Sequence, residues 1–362
     1  MKAIVLVGGE GTRLRPLTFT TPKQLLPVVE VPMLERVLEH LALHGVEEAI
    51  LSMGYRPDAF AHAYPSNVVA GVRLLYAVEP EPLDTAGAVR FAAEAAEVDE
   101  TFLVVNGDVL TDMDVTALVE FHRLRSASAT ICLTPVEDPS RFGVVPTDPE
   151  GKVLDFIEKP PVGRAPTNLI NAGTYVIEPE VLELVALGRR TSIERETFPV
   201  LASKGVLYAH ASDAYWLDTG TPEAYLQAHA DLLSGRRFCD PAPGATEIGP
   251  GVWVVGKADV DGQIGPQSLV GEGAVVATGA SVERSVIGAR SRIDPGALIE
   301  DSVVLSDAHI APGAHVRRSI VGHRADIGAK CELDALCVVG DEACVTPGTR
   351  LEGARVRAEK LP

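Results

Sequence analysis

Cysteine is scarce in this chain. Five of 362 residues are Cys (Cys132, Cys239, Cys331, Cys337 and Cys344), and none forms a CxxC pair. That spacing excludes a disulfide framework and makes a zinc site a poor reading. The thiols are expected to be reduced, buried, small apolar side chains in a cytoplasmic protein. Positive charge is also short: 32 Lys and Arg stand against 50 Asp and Glu, a formal net charge of −18. Such a chain is a poor partner for nucleic acid or an anionic membrane. Long apolar runs are missing too. No stretch approaches the roughly 20 residues of a membrane span, and the first apolar run ends early at Gly8-Gly9-Glu10, unlike a secretory signal. Neither the Gly-Lys-Ser/Thr of a P-loop nor GxGxxG occurs at that turn. With 46 % hydrophobic residues the chain can still bury a sizeable core, and its length suggests two or three domains.

What is present is concentrated at the start. Residues 3–7 are an apolar, β-branched run that reads as a buried strand. It stops in Val5-Leu6-Val7-Gly8-Gly9-Glu10-Gly11-Thr12-Arg13-Leu14-Arg15-Pro16-Leu17, followed by Thr21-Pro22-Lys23. Gly8, Gly9 and Gly11 carry no Cβ, so their N–H groups can approach a phosphate, and positive φ costs them little. Arg13 offers a planar fork of donors and Lys23 a compact charge. A strand, a bare loop and two cations make a polyphosphate cradle; a tight turn with solvated cations is the plain alternative.

Downstream, Leu34, Val37, Leu38 and Leu41 set a helical period over 33–44, closed by Gly45. Residues 49–53, 72–78 and 102–105 read as strands, and 58–64 and 85–96 as helices. The alternation predicts an α/β fold with a doubly wound, mainly parallel, Rossmann-like sheet. Ligands bind such sheets at the carboxyl ends of strands, where the 8–13 loop and Asp108 of Asn106-Gly107-Asp108 lie. A helix follows with Thr221 as N-cap, Pro222 at its first position and Gly235 as its stop. Asp240-Pro241-Ala242-Pro243-Gly244 reads as a linker. Aliphatic residues then recur at steps of six with a few fives, from Ile248, Val254, Val260 and Ile264 through Val270, Val276, Val282 and Ile287 to Leu351. Small residues at Ala274, Ala280, Ala297, Ala314 and Ala325 fit tight corners. This is the hexapeptide pattern of a parallel β-helix, with about six coils of roughly 18 residues. The expected domains are 1–239, a linker at 240–244, and 245–357.

The opening string closely resembles the signature of the sugar-1-phosphate nucleotidyltransferases (nucleotide-sugar pyrophosphorylases), and the resemblance runs along nearly the whole chain. Tyr215-Trp216-Leu217-Asp218-Thr219-Gly220 resembles the segment that supplies a second metal carboxylate, so the resemblance implies Mg²⁺ on Asp108 and Asp218. Phe142-Gly143-Val144-Val145, Phe156-Ile157-Glu158-Lys159-Pro160 and Asn171-Ala172-Gly173-Thr174-Tyr175 resemble segments that hold the sugar phosphate. By that resemblance Lys159 pairs with the sugar-1-phosphate, Glu158 and Asn171 bond sugar hydroxyls, and Gly143 allows close approach. Nucleotide contacts are expected at Leu6, Gly8, Gly9, Gly11, Thr12, Arg13, Lys23, Glu79, Asp84, Gly87 and Asp108. The resemblance also implies a left-handed coil. Residues 191–201 are similar to the mannose-1-phosphate guanylyltransferase branch.

Three positions depart from the family pattern. Asp84 stands where glycine is usual, Val31 precedes Pro32 where lysine is common, and Gln24 after Lys23 is shared with thymidylyl relatives. Glu79 matches a position that is commonly glutamine in thymidylyl and uridylyl relatives. A carboxylate only accepts hydrogen bonds, and guanine presents two neighbouring donors, so GTP is the expected nucleotide; the resemblance implies mannose-1-phosphate as the sugar. Rival readings are a glucose-1-phosphate enzyme using dTTP, UTP or ATP, a non-catalytic subunit binding sugar nucleotides, and an acyltransferase using His309, His315 or His323. A homo-oligomer joined through the β-helix is expected.

Overall fold

The computed structural model describes residues 1–237 and 241–359; Cys239 and Asp240, the first linker residue, lie outside them. Contacts divide the chain into two compact units. One comprises Met1–Gly9 and Leu34–Trp216, the other Glu10–Met33 and Leu217–Pro362. The opening string is therefore divided at Gly9–Glu10, a cut that no change of composition signals.

The first unit is built on the strand Lys2–Leu6. It pairs parallel with Glu48–Met53 on one side and Phe102–Asn106 on the other, and Val72–Val78 extends the sheet beyond Glu48–Met53. Past Phe102–Asn106 the direction changes. Leu169–Ile177 runs antiparallel to it and to Ala129–Pro135, which takes Leu207–Ala211 parallel. Gly143–Val144 and Ile157–Glu158 form a short antiparallel edge. This is the doubly wound, mainly parallel sheet expected of the strand–helix alternation. Ile4, Val104, Ile131 and Tyr175 share a core with Ala86, Val89 and Ala92 of the helix Asp84–Ala95 and with Phe198 and Leu201. The helix Val115–Arg125 carries weaker periodicity: Val115, Leu118, Val119 and His122 are buried, yet Leu124 is 78 % exposed. Its start is marked chemically, since Asp114 accepts from the Ala117 N–H at 2.9 Å.

The second unit contains a three-sided parallel β-helix. Val276, Ile293, Ile310, Ile327 and Val345 stack in register on one side. Val282, Ile299, Val316, Leu333 and Leu351 line the second. Val270, Ile287, Val304, Val321 and Val339 line the third. Their side chains fill the interior with Ala274, Ala280, Ala297, Ala314 and Ala325. Most coils take 17 residues, one fewer than the repeat suggested. The step from Val282 to Ile287 is the shortened one, closed by a single left-handed residue at Arg284, Asp301 and Arg318 (φ 47°, 48° and 41°). Arg284 grips Asp301 along this column with two bonds of 2.6 and 3.0 Å, and at the next corner Arg290 grips Asp307 with two of 2.7 Å.

Two sequence expectations need correction here. Ile248 is 60 % exposed and does not line the coil, because Ala245–Gly249 forms an antiparallel hairpin with Val252–Val255 before the coils begin. Cys344 is exposed, since it alternates with inward Val345. Cys132, Cys331 and Cys337 are buried, and burial pushes the Cys132 thiol up to about 12.

Candidate active site

In the second unit the opening string forms three single 3₁₀ turns, Thr12–Leu14, Leu17–Phe19 and Lys23–Leu25. Gly11 takes φ +62°, and a Cβ there would stand 2.9 Å from Thr18 Cγ2 and 3.1 Å from Lys23 Cβ. Its bareness lets the loop fold back onto Lys23. The Thr18 hydroxyl closes the fold by donating to the Gly11 carbonyl at 2.9 Å. Arg13 Nη2 reaches 4.0 Å from Asp218 Oδ2. Asp218 Oδ1 accepts from the Gly220 N–H at 2.8 Å, and a Cβ on Gly220 would stand 2.5 Å from Arg13 Nη2. Gly220 is thus bare because the arginine crosses it. Two site candidates from distant motifs, Arg13 and Asp218, meet here.

In the first unit Gly8 and Asp108 lie at carboxyl ends of neighbouring strands. Gly107 is pressed against the first strand: a Cβ would meet Val7 Cγ1 at 2.8 Å and the Leu6 carbonyl at 3.1 Å. Gly8 needs no left-handed φ, but a Cβ would stand 3.4 Å from Glu79 Oε1. Glu79 is held at both oxygens, by the Leu83 N–H at 2.9 Å and the Ser52 hydroxyl at 3.2 Å. Asp84 opens its helix with φ 60° and accepts from the Thr85 N–H at 2.9 Å. That conformation explains why glycine is usual there, and why a short polar side chain can replace it. Arg190 lies 3.6 Å from the same carboxylate. Gly87 has a packing reason to be bare, since a Cβ would stand 2.6 Å from the Arg189 carbonyl. The Ala86 and Gly87 N–H groups donate to Thr191 O, and the Thr85 hydroxyl donates to Glu194 at 2.7 Å. The 191–196 segment therefore clamps the start of this helix.

A second cluster gathers the expected sugar-phosphate residues. Gly143 pairs with Glu158 across the short edge, and Phe156 Cζ lies 2.6 Å from where a Gly143 Cβ would be. Lys159 takes φ 49°, donates its N–H to Phe142 O at 3.0 Å, and places Nζ 3.2 Å from Glu158 Oε1. A long side chain in left-handed backbone marks a strained position, as functional sites often do. Asn171 sits at a register shift in its strand, a bulge. Its amide donates to Tyr175 Oη at 2.8 Å and its carbonyl oxygen accepts from Gly173 N at 2.9 Å. Phe142 and Trp216 meet edge to face at 5.6 Å, and the Trp216 N–H donates to Ala172 O at 2.8 Å. Neither aromatic, nor Thr18, has a periodicity that would reveal it; only contact does. Among the described residues no group of three or more His, Cys, Asp or Glu side chains is gathered as for a metal.

Residues 2–235 match a family model described as Nucleotidyl transferase. Residues 256–351 match one described as EIF2B subunit epsilon LbH domain, a left-handed β-helix, which agrees with the hexapeptide coil. A mannose-1-phosphate guanylyltransferase of Mycobacterium tuberculosis is 39 % identical over 294 residues, covering 78 % of this chain and 81 % of its own. The mannose-1-phosphate guanylyltransferase catalytic subunit beta of Drosophila pseudoobscura pseudoobscura is 40 % identical over 274 residues, 75 % of this chain and 71 % of its own. Among solved structures, HddC from Yersinia pseudotuberculosis aligns with a TM-score of 0.55 and 30 % identity, over 63 % of this chain and 97 % of its own. The same protein complexed with GMP-PN aligns equally well. The sheet and the coil that follows agree with these matches, and the chain belongs to the nucleotidyl transferase family.

Proposed function

We propose that this protein transfers a guanylyl group from GTP to mannose-1-phosphate, forming GDP-mannose and pyrophosphate. The observation that carries the chemistry is the meeting of Arg13 with Asp218 beside a loop folded onto Lys23. The names of the relatives support the substrates, and so does the GMP-PN complex of HddC. An oxygen of the sugar-1-phosphate forms a bond to the α-phosphorus, the bond from that phosphorus to the bridging β-oxygen breaks, and pyrophosphate leaves with the electron pair. No side-chain nucleophile is needed. The protein must hold two mutually repelling anions in line and balance their charge. Arg13 and Lys23 hold the triphosphate. Lys159 turns from Glu158 to the sugar phosphate, while Glu158, Asn171 and Gly143 shape the sugar pocket.

Asp108 and Asp218 fit Mg²⁺ by donor chemistry, since both carboxylates are hard oxygen ligands. When bound, Mg²⁺ neutralises phosphate charge. Glu79 is oriented by Ser52 and Leu83 and still has acceptor capacity on both oxygens, which suits the adjacent N–H and NH₂ donors of guanine. The reading includes a cytoplasmic homo-oligomer, assembled through the coil whose last strands, Arg350–Glu352 and Arg355–Val356, leave backbone edges. Among the described residues no helix is long and apolar enough to cross a membrane.

Pyrophosphate release measured with each nucleoside triphosphate against mannose-1-phosphate and glucose-1-phosphate tests the assignment. GTP with mannose-1-phosphate is the expected best pair. Preference for dTTP, UTP or ATP would overturn the guanylyl reading and leave the phosphate contacts standing.

A further inference from the structure

The loop that carries Gly11, Arg13 and Lys23 cannot position itself. It consists of three separate turns of three residues each, too short to be stable alone. A two-residue hairpin follows, with Pro27 opposite Pro32 and Val28 opposite Val31. Both of its tip residues, Val29 (φ 50°) and Glu30 (φ 66°), are left-handed, a turn normally built from Asn-Gly. A β-branched residue there is unfavourable. Something outside the loop must over-determine this conformation.

The β-helix supplies the outside contacts, along one corner column. Val270, Ile287, Val304, Val321 and Val339 stack in register, so the residues that follow them form a column running Gly271, Gly288, Leu305, Gly322, Gly340. At one end Glu30 Oε2 accepts from the Ala289 N–H at 3.2 Å, and lies 2.8 Å from where a Gly271 Cβ would be. At the other end Pro16 Cβ lies 3.0 Å from where a Gly340 Cβ would be, and the Thr20 hydroxyl donates to Asp341 Oδ2 at 2.5 Å. Asp341 Oδ1 is fixed by the His323 N–H at 2.8 Å. At about 4.8 Å per strand the Ala289 and Asp341 anchors, three strands apart, are separated by roughly 14 Å, a long baseline for holding a short loop. Helix Pro222–Leu233 closes the other side, with Tyr225 donating to Pro27 O and His229 Nδ1 accepting from the Val29 N–H. Burial, with the Asp341 and Glu30 charges nearby, pushes the Tyr225 hydroxyl well up.

We propose that Asp341, on the β-helix, is a positioning residue for the nucleotide-binding loop, acting through the Thr20 hydroxyl on Gly11, Arg13 and Lys23. The path is short: Thr20 is two residues from Thr18, whose hydroxyl holds the Gly11 carbonyl, and Gly11 packs against Lys23. The acceptor is a carboxylate that is 5 % exposed, so the bond is charge-assisted and shielded from water. The proposal rests on reading Arg13 and Lys23 as triphosphate groups. It adds that a side chain of the β-helix sets how well they do so.

The test compares Thr20→Val, Thr20→Ser, Asp341→Asn and Lys23→Ala in the full-length chain, by steady-state kinetics in both substrates and by hydrogen–deuterium exchange. Thr20→Val and Asp341→Asn are expected to raise the KM for the nucleotide about tenfold or more, the size of a lost charged hydrogen bond. The KM for the sugar phosphate should stay within about twofold, exchange over residues 12–25 should rise, and Thr20→Ser should restore both readouts. Unchanged exchange in Asp341→Asn overturns the anchoring whatever the kinetics. Raised exchange with an unmoved nucleotide KM overturns the link to nucleotide binding, as does an equal rise in both KM values. If Lys23→Ala leaves the nucleotide KM unmoved while exchange rises in the other variants, the anchoring stands and the triphosphate reading falls.

Discussion

At the scale of single residues, most candidate side chains are engaged with protein partners that fix their aim. Glu79 is braced by Ser52 and Leu83, Asp218 by Gly220, and Asn171 by Tyr175 and Gly173. Such bracing lowers the reorganisation needed when substrate binds. Asp108→Asn and Asp218→Asn are each expected to lower turnover by about 100-fold or more. The double variant should lose far less than the product of the two, because both serve one charge-balancing function. Near-normal turnover in either single variant would remove the pair from the mechanism. Glu79→Gln replaces an acceptor by a mixed donor and acceptor. It should cut the ratio of GTP to UTP efficiency by about 10- to 100-fold, the value of a charged hydrogen bond, and a ratio that does not move would free Glu79 from base reading.

At the scale of elements, the coil shows how a short repeat controls its own geometry. Its corners use left-handed residues stacked coil on coil, and one column reads Gly279, Gly296, Gly313, Lys330, Gly348, with φ between 58° and 80°. Lys330 is the exception, at φ 58°. A side chain in that conformation costs about 1 kcal/mol, partly offset by the greater unfolded-state freedom of glycine. Lys330→Gly is therefore expected to stabilise the coil by roughly 0.5 kcal/mol in urea unfolding, and Gly313→Lys, the reverse exchange in the same column, to destabilise it by a similar amount, about 0.5 kcal/mol. The opposite order would mean that the Lys330 side chain has contacts worth more than the strain. In the first unit, the bulge at Asn171 and the left-handed Lys159 depart from regular backbone at the expected sugar-phosphate residues.

At the scale of the whole molecule, contacts draw residues 10–33 and the β-helix into one unit. A coil used only for assembly would not need to touch residues 16, 20 and 30. A chain ended after residue 235 would lose Ala289 and Asp341 together and remove the contacts of Pro16 and Glu30 with the coil. It is expected to bind nucleotide more weakly than either single anchor variant, and to form a smaller assembly by light scattering. Full nucleotide affinity in the shortened chain would make the coil dispensable to the loop.

Much of this was legible in the sequence because it is local or periodic. Alternating strands and helices announced the sheet, and steps of six and five announced the coil, through short-range sterics and hydrophobic period; Gly8-Gly9 announced the turn that ends the first strand. The helix Val115–Arg125 escaped because exposed Leu124 blurs its stripe. What tertiary structure alone decided are the long-range partnerships: Arg13 with Asp218, Gly220 bare beneath the arginine, the 191–196 segment clamping helix Asp84–Ala95, and Thr20 on Asp341. Each joins residues whose separation in the chain has no period. A threonine before Thr21-Pro22 and an aspartate after a corner glycine look like ordinary turn residues until the coil has stacked far enough to bring them within a hydrogen bond.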